Sequence, residues 1–147
     1  MLNRRRIARA VAVVCLVVAT GCGQKAPKFV AVKGVLKING EPASNVSIRF
    51  LPDSQKGTMG PSSGAITDEQ GNFVLICDNG KEGAVVGSHR VTLDDLNVDR
   101  PAQGQPQKNK PRLDDKFAIA TQSLEVEVKE GGESIILEAT GPVSSAR

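Results

Sequence analysis

The stretch VAVKGVLKINGEPASNVSIRFL, residues 30–51, decides how the chain is read. Apolar and polar residues alternate through VAVKGVLKI, and again through VSIRFL, where Val46, Ile48 and Phe50 share one face while Ser47 and Arg49 share the other. A period of two is the signature of a strand with one face on a core. Between the two runs stands Asn39-Gly40, a dipeptide that tolerates positive φ and favours tight hairpins. Glu41 to Asn45 lengthen the connection, so a bulge or wider loop is expected there.

The same rhythm continues outward. Residues 53–63 (DSQKGTMGPSS) carry no apolar period, and GTMGPSSG reads as a flexible strand connection. GAIT (64–67) makes a short strand, Asp68 to Gly71 a turn, and NFVLIC (72–77) a return strand. In that turn Asp68 is placed to accept from backbone amides and Gly71 to take positive φ. Phe73, Leu75 and Cys77 fall on one face and Val74 and Ile76 on the other, which predicts that both faces are at least partly covered. AVVGSHRVTL (84–93), LEVEVK (124–129) and SIILEA (134–139) bring the expected count to seven strands, the last two joined by Glu130 to Glu133. The remaining chain after the N-terminal segment has no helical period, so an all-β, seven-stranded antiparallel sandwich of immunoglobulin-like or transthyretin-like type is predicted over residues 29–141. Residues 94–123 interrupt the rhythm as a long, partly mobile loop, with Phe117 and Ile119 expected to dock its far end on the sheet. Residues 142–147 read as a flexible tail.

The N-terminus follows a different logic. Arg4, Arg5, Arg6 and Arg9 precede the unbroken apolar run Ala10 to Ala19. Ten residues are too few to cross a bilayer, which needs roughly 20, and the charged, apolar, small-residue order is that of a secretory signal. The run closes as LVVATGC, residues 16–22. That closing stretch resembles the lipobox of bacterial lipoproteins, with Ala at 19 where the family most often has Leu. The resemblance implies a signal peptide helix over 1–21, cleavage between Gly21 and Cys22, and an acylated Cys22 at the head of a tether spanning 22–28. Gly23 after the cysteine, rather than aspartate, points in such lipoproteins to the outer rather than the inner membrane. The six tether residues after Cys22 reach at most ~22 Å, so the domain is expected close to its membrane.

Removing the signal changes the charge. The chain has 19 Lys and Arg against 16 Asp and Glu; without the four signal arginines the basic count is 15 and the side chains sum to −1. With no Trp or Tyr and only four Phe, there is neither a basic surface nor a stacking platform, and nucleic-acid partners are disfavoured. Cys15 leaves with the signal and Cys22 takes the lipid, so Cys77 has no intrachain partner for a disulfide.

A family comes into view from GVLKINGEPASNVSIRFLP, GAITDEQGNFVL and GAVVGSHRVTL together. They resemble the carboxypeptidase regulatory-like, or transthyretin-like, β-sandwich domains, most of all those of small planctomycete-type lipoproteins. The matching positions are Gly34, Val35, Gly40 and Pro42; Thr67, Asp68, Gly71 and Phe73; and Gly87 with Val91. The resemblance implies an accessory, binding or surface module without a peptidase site.

Candidate chemistry is sparse. His89 is the only histidine and reads as a half-exposed strand residue. Cys77, on the Phe73 and Leu75 face, reads as a small packed hydrophobe. Asp94, Asp95 and Asp99, with Asp114 and Asp115 across the loop, are the candidate ligands for a weak calcium site, but DDLNVD lacks EF-hand spacing and a solvated acidic loop is the preferred reading. GTMGPSSG fits neither a P-loop nor a nucleophile elbow. The expectation is therefore a non-enzymatic, lipid-anchored envelope module with no cofactor, held at the membrane and facing an envelope protein or glycan partner. The alternative is a module binding peptide, glycan or calcium through loops 53–63 and 94–116.

Overall fold

The computed structural model describes residues 26–98, 103–106, 109–132 and 134–142. The expected signal helix, with Gly21 and Cys22, lies outside them, as does Asp99. Among the described residues the strands are β1 (Phe29–Val30), β2 (Lys33–Ile38), β3 (Glu41–Pro42), β4 (Val46–Pro52), β5 (Ser63–Ile66), β6 (Asn72–Val74), β7 (Ile76–Cys77), β8 (Ala84–Val85), β9 (Gly87–Asp95), β10 (Leu124–Val128) and β11 (Ser134–Ala139). The only helical pieces among these residues are two 3-10 turns, Ser54–Lys56 and Asp115–Ala118.

The strands form an all-β architecture of two facing sheets and a small ribbon. The larger sheet runs β10-β9-β4-β5-β7, and every pairing in it is antiparallel. The second sheet is centred on β2, with β11 along one edge and β3 and β6 sharing the other. β1 and β8 pair as a separate ribbon. Leu36, Phe73 and Leu137 from the second sheet meet Ile48, Phe50, Val91 and Leu93 from the first in one buried cluster. The Phe50 and Phe73 rings approach to 6.5 Å across the interface. Each such side chain contributes about 1.5–3 kcal/mol on leaving water.

Among the described residues eleven strands stand where seven are predicted, and the difference has a physical pattern. Three predicted strands are cut where the chain changes sheet: VAVKGVLKI at Ala31 and Val32, NFVLIC at Leu75, and AVVGSHRVTL at Val86. The fourth addition is β3. Lys37 pairs with Pro42 and Ile38 with Glu41, so Asn39-Gly40 closes a two-residue hairpin with φ of 53° and 87°. The wider loop expected there does not form; the positive φ that both residues tolerate decides the turn. Pro42, without an N–H, sits on an edge strand where no donor is missed.

A second correction concerns direction. The sandwich is not wholly antiparallel, because β11 runs parallel to β2 in the register Ser134↔Lys33 to Ala139↔Ile38. The turn at 130–132 makes no hairpin between β10 and β11. It carries the chain from the edge of one sheet to the edge of the other, so Val128 and Leu137 enter the same core from opposite layers. Gly34 permits the close fit of that layer: a Cβ there would stand 2.0 Å from the Ile135 carbonyl oxygen and 2.7 Å from the Phe73 ring.

Candidate functional site

The acidic residues singled out by sequence gather at the end of β9. Asp94, Asp95, Asp114 and Asp115 line a cavity of about 390 Å³ floored by Leu93 and Leu113. Strand alternation separates the first two, leaving Asp94 exposed and Asp95 buried. Arg112 reaches Asp95 with both nitrogens of its fork, Nε to Oδ2 at 2.8 Å and Nη2 to Oδ1 at 2.6 Å, and Nη2 also donates to the Ser44 carbonyl at 2.8 Å. The Asn97 amide adds a third bond to Asp95 Oδ1 at 3.1 Å. Burial raises the Asp95 pKa, but the Arg112 hydrogen bonds, the Asn97 amide and the guanidinium charge outweigh it and hold the carboxyl below its ordinary value. The same contact holds the Arg112 pKa above its ordinary value.

Such a bidentate pair orients groups strongly and leaves the carboxylate little capacity for a cation. Asp114 is engaged as well: its Oδ2 accepts from Thr140 Oγ1 at 2.6 Å and lies 3.6 Å from Lys116 Nζ. Among the described residues no group of three or more His, Cys, Asp or Glu side chains is placed to hold a metal ion. What the arrangement does is latch. The far end of the long connection is strapped to the C-terminal segment through Asp114 N to Thr140 O at 3.0 Å. Gly141 in turn exchanges bonds with the Asn39 side chain at 3.2 and 3.4 Å. Phe117 docks in the core as expected, whereas Ile119 is 46% exposed; Leu113 takes the second buried place.

The turn residues behave as their chemistry predicts. Asp68 Oδ1 accepts from the amides of Gln70 at 2.9 Å and Asn72 at 2.8 Å, while Asn72 Nδ2 reaches Oδ2 at 3.0 Å. The Asn72 side-chain bonds and these amides hold the Asp68 pKa below its ordinary value. Gly71 has φ of 76°, and a Cβ there would meet the Leu36 carbonyl oxygen at 2.8 Å.

Two expectations are overturned. His89 is not half-exposed but 2% exposed. It shares the inward face of β9 with Val91 and Leu93, its ring lies 5.7 Å from Phe50, and Nδ1 is 3.0 Å from the Gly87 carbonyl oxygen. Burial lowers its pKa, against a smaller opposing effect of that carbonyl. The loop at 53–63 is likewise pinned rather than flexible. Asp53 caps the 3-10 turn through Gln55 N at 3.0 Å and pairs with Arg90 at 3.2 Å, and buried Thr58 accepts from Ser88 N at 2.9 Å. Between this loop, Val85 to Gly87 and Ala26 to Lys28 lies a cavity of about 700 Å³, beside Met59 at 63% exposure. Cys77 is a free, buried thiol on the core face, in register with Ser63.

No family profile, curated protein or solved structure matches the chain.

Arg112 and Arg90 are the site residues that sequence reasoning missed. A basic residue in PRLDD after the acidic DDLNVD is a weak signal of pairing, because charge says nothing of which carboxylate it meets. His89 carried a clearer one: it has the same parity as Val91 and Leu93.

Proposed function

We propose that this chain is a lipid-anchored protein of the bacterial cell envelope whose β-sandwich is a structural or interaction module rather than an enzyme, similar to the carboxypeptidase regulatory-like lipoproteins. The observation that carries the reading is the order of arginines, apolar run and LVVATGC ending at Cys22, followed closely by folded chain. Support for a short tether comes from Lys28, whose carbonyl accepts from Val86 N at 2.8 Å. The sandwich thus begins six residues after the acylated cysteine. The engagement of Asp95, Asp114, Asp68 and His89 in structural bonds favours a scaffold over an acid–base machine.

Metabolic labelling with a clickable palmitate tests the anchor. The wild-type chain is expected to take the label, to partition into detergent and to fractionate with outer-membrane density. Cys22→Ser is expected to lose label and partitioning together. Unchanged partitioning of Cys22→Ser removes the anchor from the reading.

A second reading, ligand binding by the module, is favoured by the 700 Å³ cavity beside Met59, whose size falls in the range of small-molecule sites. A ligand that binds only the folded state raises its melting temperature. A flat response to a panel of peptides, glycans and calcium counts against this reading.

A further inference from the structure

The side of the sandwich formed by β10 and β11 is open. Both are edge strands, one in each sheet, and among the described residues each presents a row of backbone groups without a ladder partner. Which residues present them follows from the bonds on the other side. Asp53 N donates to Ser88 O and Ser88 N to Thr58 Oγ1, so the Ser88 backbone faces away from β10. Gly87, His89 and Val91 therefore bond β10 through Val128, Val126 and Leu124, leaving Glu125 and Glu127 turned to the open side. On β11, Ala139 O accepts from Asn39 N, so Ile135, Leu137 and Ala139 bond β2, and Ser134, Ile136 and Glu138 are turned out.

The two edges differ in what they accept. An antiparallel pairing of β10 with its own copy sets Glu125 and Glu127 against glutamates; Lys56 offsets Glu125 at 2.6 Å, but among the described residues Glu127 has no such cation, so a like-charge contact that destabilises cross-strand pairs remains. β11 is self-complementary. With a two-fold axis at Ile136, that residue meets its counterpart in the second copy, and each Ser134 meets a Glu138.

The neighbours in register extend the match. Val35 lies beside Ile136, so an apolar row of two Ile136 and two Val35 side chains runs across the axis. Ile136 is 62% exposed and has this burial to gain. Lys33 lies beside Ser134, which places it across Ser134 from the Glu138 of the second copy. A β10-to-β11 pairing, by contrast, sets glutamate against Ile136 or Glu138 and does not close.

We infer that the chain forms a two-fold dimer by antiparallel pairing of β11 with β11 of a second copy, joining the two β2-centred sheets into one continuous sheet. This inference does not depend on the lipid anchor.

The test uses the full chain, purified in detergent at a high detergent-to-protein ratio. Wild type is expected to sediment as a dimer in the micromolar range, and Ile136→Lys, which sets two cations on the axis, as a monomer with an unchanged circular-dichroism spectrum. Residues paired across such an axis stand about 5.5 Å apart at Cα. A short bis-maleimide is therefore expected to link Ile136→Cys into covalent dimers in a Cys15→Ser, Cys22→Ser background, where the buried Cys77 is the one native thiol left, and to link neither Glu127→Cys in that background nor the background chain itself. The bis-maleimide result decides the matter should Ile136→Lys fail to fold. A monomeric wild type, an Ile136→Lys dimer, or equal linking through positions 127 and 136 overturns the proposal.

Discussion

The two flanks of the sandwich solve the same problem in different ways. On one flank a single run, residues 72–77, belongs to both sheets: β6 pairs with β2, the chain bends at Leu75, and β7 pairs with β5. Leu75 N donates to Val32 O at 2.9 Å and its carbonyl accepts from Gly83 N at 2.7 Å, so the bend itself is hydrogen-bonded and the side chain is fully buried. On the other flank β10 and β11 stand apart, with a groove of about 350 Å³ between them lined by Leu124, Glu125, Val126, Ile136, Leu137 and Glu138. The shared strand is hydrogen-bonded into both sheets. The open flank leaves backbone groups unpaired and relies on side chains, two glutamates on β10 and Ile136 on β11, to determine what pairs there.

The largest effects should separate the flanks. Leu75→Ala empties the core at the shared strand and is expected to lower stability by about 2–5 kcal/mol in denaturant unfolding. Ile76→Ala, one residue away but 49% exposed, is expected to stay within about 1 kcal/mol. Equal losses at both positions would show that the shared strand is not what closes that flank.

The connection feeding the open flank is held by Asp95 and Arg112, and Arg112→Ala strands a buried carboxylate. A loss of about 2–3 kcal/mol is expected, below the full cost of a broken buried pair because the Arg112 side chain is 37% exposed. The same pair sets an acid limit. The Asp95 pKa is lower folded than its ordinary value near 3.9. Its contribution is thus complete above that value and is lost as pH falls through the folded one. Asp95→Asn is expected to flatten the stability curve in that window while lowering the plateau above it.

His89 lies on β9 beside β10, in register with Val126. Its folded pKa is depressed by burial, so as pH falls below about 6.5 the unfolded chain takes a proton that the folded chain resists. Wild-type stability is expected to decline through that range by at most about 1.4 kcal/mol per pH unit, and His89→Phe to remove the slope. Melting curves between pH 5 and 7 would check this, and a persistent slope in His89→Phe would assign it elsewhere. The smallest effect belongs to the exposed strand β3: Glu41→Gln is expected to change the free energy of denaturant unfolding by no more than about 0.5 kcal/mol.

Much of this was legible in residue order. The parity of Val46, Ile48 and Phe50 named the core face of β4, and Asp68 with Gly71 named a turn whose bonds are those their chemistry requires. Parity also contained the burial of His89, hidden by treating its polarity as a sign of exposure. The acidic cluster was legible as composition, but Arg112 was not, since its link to Asp95 spans 17 residues of connection and depends on where that connection returns.

What the sequence determined by itself is the all-β character, the inward faces and the tight turns, because alternation and φ preferences act between near neighbours. Tertiary structure alone decided which sheet each strand joins, why NFVLIC breaks at Leu75, and that β11 runs parallel to β2. Those choices depend on how two layers share one core and where their edges meet, and a strand's own residues look much the same in either layer.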